Sequence, residues 1–224
     1  HPAAGHHRVA QELARSGRGD GDLWGGHGGH ARTVAATAGH PRRRVAAVSE
    51  VRRVRLTVAY HGAQFRGSAA NPGVPTVMGD LAMAIAMIVR QPIELTAAGR
   101  TDAGVHAWGQ IVSGDLPAGT DLADLARRVN KLCAPGIAVR AAEWAESPEF
   151  NARFSATSRS YRYHVWNDPA PNPLAADTVW HVPKPLAVEA MRAAAASLVG
   201  EHDFGAFCRR PDGDVSLVRI LYEF

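Results

Sequence analysis

Cysteine is scarce: Cys133 and Cys208 are the two in 224 residues. They cannot by themselves make a disulfide framework or a zinc site, so a reducing cytoplasm is the expected compartment. Long apolar runs are missing too. The longest, residues 81–89, is nine residues closed by Arg90, about half of what a membrane-spanning helix needs, so no membrane span is expected. The chain opens at His1 with a Gly-, His- and Arg-rich stretch rather than the basic start and apolar run of a secretory signal. It also has no phosphate-binding loop, no dinucleotide fingerprint and no complete metal-ligand set.

What is there fits a globular chain. The apolar share is 46% and the charged share 21%, which argues against both a disordered and a collagen-like protein. The length suits one large domain or two small ones. A net charge of +4 invites a nucleic-acid reading, but its distribution weakens it. Residues 1–50 hold seven of the 25 basic residues and four of the 21 acidic ones. The remainder is close to balanced, so RNA binding there must rest on a local patch rather than on bulk charge.

Residues 1–50 carry nine Gly, six of the eleven His and no sustained apolar period, and read as a disordered extension. They stand for an upstream translation artefact, a tail with its start missing, or an added piece. Metal binding by His6, His7, His27, His30 and His40 is the alternative, although no Cys or carboxylate cluster completes a coordination set.

From Val51 the periodicity switches on. Strands are predicted over residues 54–60, 93–97, 110–114 and 137–144, and a half-buried strand over 161–166, where Tyr161, Tyr163 and Val165 alternate with polar partners and Tyr163 reads as core. Thr76 caps a helix with the stripe Val77, Leu81, Ile85 and Ile88. Asp121 caps a second with Leu122, Leu125, Val129 and Leu132. Pro185 opens a third, ended by Gly200. A last strand begins near residue 217, and the sequence stops inside it. Strands separated by single helices imply an α/β or α+β sheet with helices packed on it.

The most informative stretch is Gly99-Arg100-Thr101-Asp102-Ala103-Gly104-Val105-His106. Gly99 and Gly104 bracket it and permit close approaches or backbone angles that a Cβ resists. If residues 100–102 are extended, alternation puts the guanidinium and the carboxylate on one side and Thr101 on the other. A positive neighbour keeps an aspartate ionised, which suits a nucleophile better than a proton donor. The plainer alternative is a Gly-flanked turn with a surface ion pair.

The run AGRTDAGVHAWGQ (98–110) closely resembles the signature of the TruA-type tRNA pseudouridine synthases. Three further blocks agree in order: VAYHGAQFRG (58–67), FNARFSATSRSYRYHVWN (150–167) and LVGEHDFGAFCR (198–209), with VRIL (218–221) resembling the opening of the next strand. The resemblance covers residues 51–224, and ordered blocks are far more specific than any one short motif.

It implies an α+β pseudouridine synthase fold: an antiparallel or mixed sheet with helices packed on it, in ferredoxin-like halves. The expected divisions are the extension 1–50, an N-terminal catalytic half 51–165 and a C-terminal half 166–224. The implied activity is isomerisation of uridines 38–40 of the tRNA anticodon stem-loop to pseudouridine, with no cofactor and no metal. The implied partners are tRNA and a second copy of the chain in a homodimer.

Asp102 matches the catalytic aspartate, which attacks the ribose C1′ or the uracil C6, or assists loss of a sugar proton. Tyr161 matches the active-site tyrosine that lies against the base and later takes the C5 proton. Arg100 matches the arginine that fills the gap left by a flipped nucleotide or holds its phosphate. His106 reads as a hydrogen-bonded structural histidine. Arg66, Arg153, Arg159 and Arg162 are candidates for phosphate contacts or ordinary solvated charges. The reading requires Asp102 to stand beside a cavity with an aromatic neighbour.

The sequence departs from the family pattern in two places. Tyr60-His61-Gly62, Gly67-Ser68-Ala69 and Thr76-Val77-Met78 stand where Tyr-Asp-Gly, Gly-Trp-Gln and Thr-Val-Gln are usual. These changes fall in the RNA-facing first block and bear on substrate affinity more than on chemistry. Family members also continue past VRIL into a block that supplies a pocket wall, a basic partner for the aspartate and part of the dimer contact. If residue 224 is the true end, the expectation is a truncated, weak or inactive RNA-binding remnant.

Overall fold

The computed structural model describes residues 50–208, 213 and 215–224. The expected extension, save its last residue, and its histidines lie outside the described residues.

The first half runs in the order β1 (Val51–Tyr60), α1 (Val77–Val89), β2 (Leu95–Ala97), β3 (Ala107–Pro117), α2 (Leu122–Leu132) and β4 (Ile137–Trp144). The strands form one sheet in the order β2-β3-β1-β4, antiparallel throughout. Along β1 the side chains of Val54, Leu56, Val58 and Tyr60 alternate to one face and are buried, as a period of two requires. They meet Val77, Leu81 and Ile85 of α1, Leu125 and Val129 of α2, Val112 and Leu116 of β3, and Ile137 and Val139 of β4. Each such side chain withdrawn from water contributes about 1.5–3 kcal/mol before entropy is counted.

Both helices begin where a capping side chain stands. Thr76 Oγ1 accepts from the Gly79 amide at 3.3 Å. Asp121 Oδ1 accepts from the Ala123 and Asp124 amides at 2.9 and 3.0 Å. Each satisfies donors that have no partner within the helix. Asn130 then ties α2 to β4, donating to the Val139 carbonyl at 3.0 Å and accepting from its amide at 2.6 Å.

The opposite face of the sheet is polar. Arg53 pairs with Asp115 and Arg55 with Glu143. A loop crosses this face: Arg53 Nη1 donates to the Phe150 carbonyl at 2.7 Å and the Ala152 amide to Ser113 Oγ at 3.0 Å. Two bulges lie toward the far end of β1. Its partners step from Gln110 to Ala107 between Val58 and Tyr60, and from Ala141 to Val139 between Thr57 and Val58. Extra residues of this kind bend a strand and re-aim side chains.

The second half is sparser. β5 (Val165–Trp166) pairs in parallel with β6 (Trp180–His181), and β7 (Gly200–Asp203) pairs antiparallel with β8 (Val218–Leu221). Between them lies α3 (Val188–Ala196), none of whose residues is buried. The strand expected over 161–166 is reduced to its last two residues, and Tyr163, read as core, is 84% exposed. Alternation marks a face, but a strand also needs a neighbour, and hydrogen bonds to β6 begin only at the His164 carbonyl. The third helix starts at Val188 rather than Pro185, with Ala187 as an N-cap that makes no side-chain cap bond, and ends at Ala196 before Gly200. Among the described residues no helix is long and apolar enough to cross a membrane.

Candidate active site

The stretch 98–106 joins the end of β2 to the start of β3 and lies where β1 ends. Its backbone is stitched down almost residue by residue. The Ala98 amide donates to the Ile111 carbonyl at 2.8 Å, and Gln110 Nε2 donates to the Gly99 carbonyl at 2.8 Å. Thr101 is held from three sides. Its amide donates to Ser68 Oγ at 2.7 Å, its carbonyl accepts from the Ser68 amide at 2.9 Å, and its hydroxyl lies 2.8 Å from Tyr60 Oη. The Asp102 carbonyl accepts from the Val105 amide at 3.2 Å, closing a turn in which Gly104 has φ +82°. That left-handed value is the one the third position of a type II turn demands.

One close approach fixes the neighbouring loop. A Cβ on Gly62 would stand 2.0 Å from the Val105 carbonyl oxygen, so only glycine lets the residues after β1 lie against 104–105. Of the two bracketing glycines, Gly99 is not forced in this way. A Cβ there would meet the Arg159 side chain at 3.4 Å, an ordinary contact.

Arg100 and Asp102 both project to solvent while Thr101 turns inward, which is the alternation expected of an extended segment. Among the described residues neither side chain has a hydrogen-bond or ion-pair partner, so the surface ion pair of the plainer reading does not form between them. Tyr161 is 69% exposed, and no hydrogen bond joins it to Asp102. Its segment is nevertheless brought to the loop. Arg159 donates to the Ala98 carbonyl through Nε at 3.1 Å and Nη2 at 2.7 Å, and to the Arg153 carbonyl at 3.3 Å. Arg159, a candidate for phosphate contacts, is thus used as a clamp between the two sequence blocks.

His106 takes the structural role expected of it. Its Nδ1 accepts from the Gly62 amide at 3.2 Å and its Nε2 lies 2.5 Å from the Asp177 carbonyl. A carbonyl can only accept, so the ring is the Nε2–H tautomer with both nitrogens engaged. His61 packs edge-on against it, ring centroids 4.4 Å apart. Arg153 lies over the Phe154 ring at 5.6 Å, while Arg66 and Arg162 are exposed.

Asp102 is exposed and does not line the cavity that the described residues form elsewhere. A cavity of about 550 Å³ opens at the opposite end of the β1–β3 ladder, lined by Ile88, Pro117, Asp121, Asp124 and Arg128 among others. Among the described residues no group of three His, Cys, Asp or Glu is placed to hold a metal. Ser68, Tyr60 and Gly62 are the supports that sequence reasoning missed. All three lie in or beside the block 58–67, whose resemblance was the one signal available.

The fold and the loop together define an α+β protein with an antiparallel sheet whose end presents an arginine and an aspartate on a rigid backbone. No family model matches the chain. It is 46% identical over 172 residues to the tRNA pseudouridine synthase A of Frankia casuarinae, covering 75% of this chain and 62% of that protein. It is 40% identical to that of Cutibacterium acnes, over 75% and 61%, and 38% identical to that of Bacillus velezensis, over 76% and 70%. The chain belongs to the tRNA pseudouridine synthase A family, and spans about three fifths of the length of the first two relatives.

Proposed function

We propose that the chain carries the catalytic aspartate of a tRNA pseudouridine synthase that isomerises uridines 38–40 of the anticodon stem-loop. The observation that carries this reading is the loop 98–106, pinned through backbone and Thr101 so that Asp102 and Arg100 face outward from a fixed base. Preorganisation of this kind is what a nucleophile needs, because the geometry is set before substrate arrives. Asp102 attacks the ribose C1′ or the uracil C6, or assists loss of a sugar proton. The N1–C1′ glycosidic bond breaks, the detached uracil turns, its C5 bonds to the ribose C1′, and the C5 proton is lost as N1 is protonated. Arg100 occupies the gap left by the extruded nucleotide or holds its phosphate. Tyr161 stacks on the base and takes the C5 proton.

The β-α-β-β-α-β order and β2-β3-β1-β4 sheet support a pseudouridine synthase fold whose first ferredoxin-like half is 51–165, with 166–224 belonging to the second. We assign the enzyme no cofactor, a homodimeric state and a cytoplasmic location. The pocket wall around Asp102 is assigned to the part of the relatives' length that this chain does not match.

A second reading, an inactive RNA-binding remnant, draws on the open surroundings of Asp102 and on the bare α3. Tritium release from tRNA labelled at uridine C5 separates the two. Under the first reading the chain releases tritium, and Asp102→Asn lowers the rate by at least about a thousandfold while tRNA binding stays within about twofold. Binding without release supports the second, and release that survives Asp102→Asn overturns the nucleophile.

A further inference from the structure

We propose that Trp108 and Arg140 form a stacking platform for an unpaired base of the RNA substrate, on the sheet face opposite the helices and at the end that carries the loop 98–106. The proposal rests on the tRNA reading above and adds to it a contact outside Asp102, Arg100 and Tyr161. The Arg140 guanidinium carbon lies 4.0 Å from the centroid of the Trp108 ring, and its Nη1 donates to the Trp108 carbonyl at 3.0 Å. The two residues belong to strands on opposite sides of β1, and both fall within its bulges. Trp108 lies between Ala107 and Gln110, which face Tyr60 and Val58, and Arg140 between Val139 and Ala141, which face Val58 and Thr57. The bulges therefore aim both side chains across the same stretch of β1.

With the guanidinium over one face, the Trp108 ring is still 75% exposed, which leaves the other face open. A second arginine–tryptophan pair gives the contrast. Arg52 lies over Trp144 at 4.7 Å, but Trp144 is half-buried and packs against the core, so that pair has a structural use. Trp108 has none.

Charge selects the occupant. Arg53 and Arg55, on the same sheet face, are neutralised by Asp115 and Glu143, whereas Arg140 has no carboxylate partner among the described residues. An indole plane with an unneutralised, planar guanidinium on it matches a nucleotide: the base stacks on the ring and the remaining N–H donors take a phosphate oxygen. An apolar protein partner would leave that charge unpaired.

The test is binding of a fluorescently labelled anticodon stem-loop RNA to the full chain and to Trp108→Ala, Trp108→Phe and Arg140→Ala. The exposed surface variant Arg127→Ala serves as control, and melting curves establish that each variant is folded. Trp108→Ala weakens binding by about fivefold to a hundredfold, the range of one base–aromatic stack, while Trp108→Phe recovers most of it. Arg140→Ala also weakens binding and lowers the slope of log K against log salt by about one phosphate contact. Wild-type affinity in Trp108→Ala overturns the platform and leaves the tRNA reading standing. If the unaltered chain binds no RNA, both fall. A change in sedimentation of Trp108→Ala with RNA affinity intact assigns the ring to a protein interface instead and overturns the proposal.

Discussion

Gly62 holds two loops of the candidate site together by having no side chain. With 2.0 Å between its Cβ position and the Val105 oxygen, Gly62→Ala forces the 104–105 backbone away and breaks the bond from the Gly62 amide to His106 Nδ1. The expected cost is at least about 2 kcal/mol, the range of steric overpacking and a lost buried bond together, read as a lower urea midpoint with unchanged slope. Cys133 gives a second residue-scale prediction. Burial, and secondarily the Asp80 carboxylate, push its thiol up to about 11. Iodoacetamide near neutral pH therefore modifies exposed Cys208 and spares Cys133, and Cys133 becomes reactive only as pH approaches that value. The unfolded thiol ionises near 9.0, so the folded state binds the extra proton between the two values. This contribution to stability is intact below the lower one and is lost as pH rises through the window. A Cys133→Ser variant flattens that alkaline loss.

At the scale of elements, α1 shows how much packing outweighs capping. Leu81 is fully buried in the core between α1 and the sheet, so Leu81→Ala is expected to cost about 2–5 kcal/mol. Thr76→Ala, which removes one cap bond, is expected to cost about 0.5–2 kcal/mol, and thermal melts of the two variants order them. The same helix was legible in the sequence because a capping Thr and an apolar stripe are local signals, and α2 with Asp121 was legible for the same reason. β3 was less so. The alternation visible at residues 110–114 is only the middle of an eleven-residue strand, because Gly109, Asp115 and Pro117 hide the pattern at its ends while pairing with β1 holds them in the ladder. The 161–166 segment failed in the opposite direction, showing alternation without a partner strand. In the site, the outward placement of Arg100 and Asp102 followed from a period of two. The bonds from Tyr60 and Ser68 to Thr101 span 41 and 33 residues, and no local pattern encodes such a contact. Arg159 was visible as a charge, but its use on the Ala98 carbonyl was not.

For the whole molecule, stability is unevenly spread. The buried side chains of the core come from residues 54–139, and nothing in α3 is buried. Native-state hydrogen exchange is therefore expected to show two tiers. Amides of β1 and β3, such as those of Leu56 and Val112, exchange only through global unfolding, whereas amides of α3, β7 and β8 exchange through local opening that is orders of magnitude more frequent. Equal protection in both halves would contradict this partition. The tiers also bear on Arg159, which follows β4 in the chain and bonds back to the Ala98 carbonyl. Opening of the outer elements leaves the loop's stitching to Ser68, Tyr60 and Gln110 in place, so the presentation of Asp102 is buffered from fluctuations further along the chain.

Thr101, tied from three sides, gives this loop a single phase. A residue inserted or removed between Gly99 and the turn at Gly104 would exchange inside for outside, sending the carboxylate toward the Tyr60 hydroxyl and leaving the threonine in water. Length here is consequently as constrained as identity, and a library that varies spacing while keeping every side chain would find almost no tolerated members.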